Sequence, residues 1–205
     1  MEDKVLESGD GLKRCPWGIE LEEYRRYHDE EWGRPVIDDV RIFEKLSLEG
    51  FQSGLSWLTI LRKREGFRRA FHGFEPDKVA AFDESDVDLL LGDAGIVRHR
   101  GKIEATVANA RAVLEVQASE GSLAALVWRY EPLPMGPFRT LPELPPFRPE
   151  AKELSKELHR RGFRFVGPTT VYAAMQALGL VNDHLEGCYC RAIVDEERAL
   201  LVRPS

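Results

Sequence analysis

The chain predicts an all-α fold. Apolar residues recur at helical spacing along most of its length, and alternating strand patterns are nearly absent. Six prolines between Glu131 and Pro146 interrupt the helical pattern, because proline lacks the backbone donor a helix interior needs.

Taken in order, the elements follow from residue spacing. Tyr24, Tyr27 and His28 fall at i, i+3 and i+4 and so share one helical face. Asp38 or Asp39 can cap a helix that buries Ile42, Phe43 and Leu46 and runs on toward Glu49. A break at Gly50 or Gly54 precedes a further helix from Leu58 to Phe71. Ser85 opens a short helix with Val87, Leu89 and Leu90, which Gly92 or Gly95 can end. The next helix is long, with Ile103, Val107, Ala110 and Leu114 inward and Arg98, Arg100, Lys102 and Arg111 on its exposed side. Residues 131–149 read as a linker or ordered loop. A basic amphipathic helix over Ala151 to Arg161 and an apolar one over Val171 to Leu180 complete the pattern. The first dozen residues and the tail after about Ile193 look dispensable.

At 205 residues the chain suits one sizeable domain or two closely packed lobes around a shared cleft. It shows neither a basic-then-apolar leader nor an apolar run of the roughly 20 residues that span a bilayer. Three cysteines fit a reducing compartment better than a disulfide framework. The expectation is a cytoplasmic protein with no membrane partner. A formal charge of −6 argues against gripping nucleic acid by bulk electrostatics, so any such contact must be local.

Four side chains near the two ends can bind metal: Cys15, His28, His184 and Cys188. Two thiolates and two imidazoles fill a tetrahedral zinc shell and leave no open position, which indicates a structural ion. Their spacing matches no common zinc finger, and the competing reading is a core thiol with two surface imidazoles. A matched pair at each end favours zinc. Cys190 is then either a substitute ligand or a free thiol.

The remaining chemistry is aromatic, acidic and basic. Trp17, Tyr24, Tyr27, Trp32 and Trp57 gather in or beside the N-terminal part, as a hydrophobic core face or as walls that sandwich a flat heterocycle. Glu49 is a surface residue at a helix end or a carboxylate facing a base edge. The turn GDAGIVRHRGK at 92–102 offers backbone amides with Arg98, His99, Arg100 and Lys102, either as a solvated helix start or as a phosphate cradle. Lys152, Lys156, Arg160, Arg161 and Arg164 form a second basic set.

CPW at 15–17, YHDEEWG at 27–33, LEGFQSGLSWLTILRKRE at 48–65, DAGIVRHRGKIEATVANARA at 93–112 and RGFRFVGPTTVYAAMQALGLVNDH at 161–184 together resemble the 3-methyladenine DNA glycosylase I family, within the helix–hairpin–helix glycosylase superfamily. The resemblance covers about Cys15 to Cys188. It implies a helix–hairpin–helix glycosylase fold with two helical lobes around a cleft, its ends joined by structural Zn2+ on Cys15, His28, His184 and Cys188. It divides the chain into an extension (1–14), a glycosylase domain (15–190, hairpin about 92–102) and a tail (191–205).

The resemblance further implies a base pocket of Glu49, Tyr27 and Trp57 with Tyr24, Trp17 and Trp32 nearby. Gly54 and Leu55 would approach the gap left in the duplex, and Gly95, Arg98, His99, Arg100 and Lys102 would contact DNA. The superfamily's catalytic aspartate is absent, which leaves recognition and catalysis resting on Glu49. The implied partner is alkylated double-stranded DNA, the product is free 3-methyladenine, and the protein is expected to be a monomer without lyase activity. The proline-rich segment departs from the family pattern and carries none of these residues. Two other readings compete: a non-catalytic DNA or modified-base binding module, and a zinc hydrolase, which needs an open coordination site.

Overall fold

The structure, a computed structural model, describes residues 3–205, so Met1 and Glu2 of the expected extension lie outside it. Ten α-helices follow a two-residue strand pair, β1 (Leu6–Glu7) and β2 (Lys13–Arg14), which run antiparallel. The helices are α1 (Glu22–Glu30), α2 (Asp39–Gln52), α3 (Trp57–Ala70), α4 (Pro76–Ala80), α5 (Glu84–Gly92), α6 (Arg100–Glu120), α7 (Leu123–Trp128), α8 (Pro149–Arg160), α9 (Pro168–Ala177) and α10 (Tyr189–Leu200). Among the described residues no helix is long and apolar enough to cross a membrane.

Helix starts follow local chemistry. Asp38 caps α2, its carboxylate accepting from Arg41 N at 2.9 Å. Asp39 reaches across the fold instead and accepts from the first amides of α7, Leu123 N at 3.0 Å and Ala124 N at 2.8 Å. The start of α5 is set by Asp83 rather than Ser85, because Asp83 and Asp86 form a reciprocal capping box. Pro149 and Pro168 open α8 and α9, where a missing N–H costs nothing. The last apolar helix therefore begins three residues before Val171.

Burial explains the packing. Ile42, Phe43, Leu46, Leu48 and Phe51 of α2 meet Phe67 of α3, Phe71 just after it, and Ile103, Val107 and Val113 of α6 in one contiguous core reaching Val181. A second, small cluster joins the ends of the chain around Cys15, Leu185, Cys188 and Cys190. Leu114, expected inward, is exposed, since Ala110, Val113 and Val116 occupy the core side of α6.

The tail, expected to be dispensable, is built in, and residues 131–149 are the ordered loop of the two readings open to them. Helix α10 runs across the boundary placed after Cys190; its Val194 is fully buried, and Arg198 donates to Gly179 O and to Glu131. The tail is thus partly structural. Residues 131–149 are an ordered wall as well as a connection: Glu186 N donates to Phe138 O at 2.7 Å, and Leu141 N to Asp3 O at 2.9 Å.

Candidate functional site: an aromatic pocket beside a Cys/His cluster

Helix α1 divides its residues between two sites. Tyr27 and His28 are both buried, Tyr27 against a pocket and His28 against the cysteines. Tyr24, one turn earlier, fixes α1 to α3 because its hydroxyl accepts from Leu58 N at 3.1 Å. Trp17 enters on a 3-10 turn over Pro16–Gly18, and Trp32 follows α1.

All six aromatic and acidic residues expected to bind a base line one cavity of about 480 Å³: Trp17, Tyr24, Tyr27, Trp32, Glu49 and Trp57. Ring contacts make the wall continuous, with Trp17 at 5.1 Å from Trp32 and Tyr27 at 5.3 Å from Trp57. Sequence reasoning missed other lining residues, among them Gln52, Gln176, Leu141 and Leu144. The two leucines belong to the proline-rich segment, which therefore does contribute to the site. No sequence pattern marks them, since a loop has no periodicity to read.

Glu49 is buried within α2, which continues through Gly50 to Gln52 rather than breaking there. Burial pushes its carboxyl up to about 7, opposed by the positive charge of Lys45 one turn earlier. Near neutral pH it exchanges readily between acid and carboxylate. Burial, with the negative charges of Glu49 and Glu31, holds the Tyr27 phenol well above its usual range.

The Cys15, His28, His184 and Cys188 side chains converge, all four residues being buried. Cys188 Sγ lies 3.5 Å from His28 Nε2 and 3.5 Å from His184 Nδ1, and Cys15 Sγ lies 3.8 Å from His184 Nδ1. The other ring nitrogens are engaged outside the set: His28 Nδ1 with Asp29 at 2.8 Å and His184 Nε2 with Trp32 O at 3.1 Å. The histidines are thus core groups, not surface imidazoles. Hydrogen bonding from Cys15 favours the thiolate at Cys188 and disfavours a second one at Cys15. Cys190 Sγ is 3.8 Å from His28 Nδ1, the nitrogen turned away from the cluster. The cluster also touches the pocket wall, Trp17 lying 5.0 Å from His28 and Trp32 4.7 Å from His184.

The expected DNA contacts divide. The turn between α2 and α3 exposes Gly54, at φ +81, and Leu55. A side chain is strained at that φ, so glycine suits the apex. The turn between α5 and α6 presents Gly95, Arg98 and His99, while Asp93 Oδ1 accepts from Gly95 N at 2.6 Å. Arg98 has no hydrogen bond or ion pair among the described residues, whereas Arg100 is tied to Glu84 and Asp88 of α5. Lys102 departs from expectation: it is buried, and its Nζ donates to Phe51 O at 2.9 Å and Ser53 O at 2.6 Å. Unpaired carbonyls at the end of α2 draw it inward. The second basic set is largely neutralised, with Lys156 on Glu153, Arg160 on Glu157, and Arg161 on Glu157 and Glu120.

The family model described as methyladenine glycosylase matches residues 17–192. The chain belongs to this family. It is 48% identical over 182 residues to DNA-3-methyladenine glycosylase 1 of Escherichia coli (strain K12), covering 87% of this chain and 97% of the relative. A crystal structure of a 3-methyladenine DNA glycosylase I superposes with a TM-score of 0.84 at 46% identity, covering 87% of this chain and 99% of the other. The Staphylococcus aureus glycosylase I, solved to explain 3-methyladenine recognition, superposes at 0.83 with 37% identity, covering 87% and 96%.

Proposed function

We propose that the protein is a DNA-repair glycosylase that hydrolyses the N-glycosidic bond of N3-methyladenine in alkylated duplex DNA, releasing the free base and leaving an abasic site. The observation that supports this most is the cavity in which Glu49 faces an aromatic wall of Trp17, Tyr24, Tyr27, Trp32 and Trp57.

The lesion carries a delocalised positive charge, so its glycosidic bond is already weak and the leaving base needs no protonation. Unstacking costs a few kcal/mol, less for a damaged pair. Once flipped, a cationic ring gains from the aromatic faces and from ionised Glu49. A neutral adenine gains neither charge term, and leaving the buried carboxylate unpaired penalises it further. Because Glu49 titrates near 7, entry of a cation below that pH is coupled to loss of the Glu49 proton. Gly54 and Leu55 approach the vacated stack, and the Gly95–His99 turn of a helix–hairpin–helix element holds the backbone with Arg98. Hydrolysis here proceeds without a Schiff-base lyase step. The protein acts as a monomer in the cytoplasm.

A structural zinc fits the Cys15, His28, His184 and Cys188 cluster. With bonds of about 2.3 Å to sulfur and about 2.0–2.1 Å to nitrogen, a tetrahedron has sulfur–nitrogen edges of about 3.6 Å. The 3.5, 3.5 and 3.8 Å separations correspond to those edges. Asp29 and the Trp32 carbonyl orient the imidazoles from outside. Four protein ligands leave no position for a zinc-bound nucleophile, so zinc would join the chain ends and stiffen the Trp17–Trp32 wall.

The test is release of free 3-methyladenine from methylated duplex DNA by wild type and Glu49→Gln, with 7-methylguanine followed in the same eluate. Selective release by wild type and its loss in the variant are expected. Absence of release from folded wild type would favour the non-catalytic binding module.

A further inference from the structure

Behind the aromatic wall lies a cation that the proposed chemistry does not use. Lys45 sits one helical turn before Glu49 on α2, half-buried, and lines a small cavity on the far side of the wall together with Glu31, Glu44, Arg64 and Arg68. Its Nζ donates to Tyr27 Oη at 2.9 Å. The same ammonium lies 4.7 Å from the Tyr27 ring centroid and 4.6 Å from that of Trp57. One charge therefore holds two of the rings expected to stack on the base.

The surrounding charges assign its partner. Glu31 is taken by Arg64 in a two-bond pair at 2.5 and 2.8 Å, and Glu44 by Arg68 at 2.9 Å. Arg41 lines the far cavity, and α9 contributes only Ala177 and Leu178 there. Glu49 has no such arginine. Among the described residues, Lys45 is the neighbouring charge that opposes the effect of burial on Glu49.

We propose that Lys45 is a positioning residue of the glycosylase site, holding Tyr27 and Trp57 through its ammonium and setting a positive charge one helical turn from Glu49. This rests on the glycosylase reading of the pocket. A buried carboxylate facing only aromatic rings takes up a proton, and a protonated acid cannot offer the charge that separates a cationic base from adenine. An ammonium on the same helix opposes this without entering the cavity, where it would repel the substrate.

Burial pushes Lys45 itself down to about 8, so the pair titrates as a coupled unit. Loss of the Lys45 charge must raise the pH at which Glu49 ionises. The acid limb of the pH profile moves upward with it.

Lys45→Met keeps the apolar stem, and Lys45→Gln keeps a donor toward Tyr27 without the charge. The first measurement is the Glu49 carboxyl titration by NMR in the free proteins, which needs no turnover. The second is the pH profile of kcat/KM for 3-methyladenine release, with thermal unfolding as the check on folding. Both variants should raise the Glu49 midpoint by about one unit or more, cutting release roughly tenfold on the acid limb and converging on wild type at higher pH. A positioning effect without charge would appear in Lys45→Met and be rescued in Lys45→Gln, overturning the electrostatic half of the proposal. An unchanged midpoint in a folded variant overturns it altogether while leaving the glycosylase reading intact if wild type releases base. If wild type releases none, the glycosylase reading fails, and the proposal that rests on it fails too.

Discussion

Replacing Lys102 by methionine separates two roles for this residue. As a phosphate contact it would face solvent. In the structure its ammonium instead joins Phe51 O and Ser53 O at 2.9 and 2.6 Å, closing the end of α2 beneath the turn that carries Gly54 and Leu55. A hydrogen bond from a charged donor contributes about 1.5–3 kcal/mol. Two of them, discounted for the burial that lowers the Lys102 pKa, come to about 3 kcal/mol. For a domain of this size the unfolding midpoint should fall by roughly 6–12 °C. The assay is thermal unfolding of Lys102→Met beside wild type, paired with the salt dependence of affinity for duplex DNA containing an abasic site. We expect a large loss of stability and an unchanged salt slope, with turnover on duplex reduced and free-base binding preserved. A midpoint within about 2 °C of wild type, with a salt slope shallower by about 0.9, would refute the clamp and restore the phosphate contact.

The other predictions address the turn and the metal. Gly66 of α3 packs under the α5–α6 turn so closely that a Cβ there would lie 2.3 Å from Gly95 O, a backbone atom that cannot swing aside. Gly66→Ala should cost about 2–3 kcal/mol and weaken duplex binding while sparing 3-methyladenine binding, as calorimetry and base titration would show; unaltered duplex affinity would count against that turn as the DNA-holding element. Zinc removal by chelation, or Cys188→Ser, should destabilise the fold by several kcal/mol, a share of the roughly 10–16 kcal/mol that structural zinc supplies to finger peptides. Tryptophan emission should change with it, because Trp17 and Trp32 touch His28 and His184. Identical melting curves before and after chelation would remove the clasp.

Helices with a periodic apolar face were legible: α2, α3, α6 and α8 follow the spacing of their apolar residues, with ends displaced by one to three residues where a cap lay elsewhere. Helices α4, α7 and α10 were not legible, because five residues give no period, LAALVW is buried on every side and the charged run of α10 reads as a tail. The site residues were legible where chemistry is concentrated, as in the aromatic run of α1 and the terminal Cys/His pairs. Lys45, Leu141 and Leu144 were not, since nothing in a lone lysine or a proline-rich loop says which surface it meets.

Taken alone, the sequence determined what its local chemistry and motif order carry: a helical chain, a metal-capable pair at each end, a glutamate among aromatics, and the family. Tertiary structure decided which charges remain available. Lys102 and Lys45 look alike as letters, yet one closes a helix end and the other stands behind the aromatic cavity. Arg100 is spent on Glu84 and Asp88 of α5, while Arg98 has no such partner among the described residues. An ion's role depends on the partners within a few ångströms and on the water they exclude, and those partners come from residues distant in the chain.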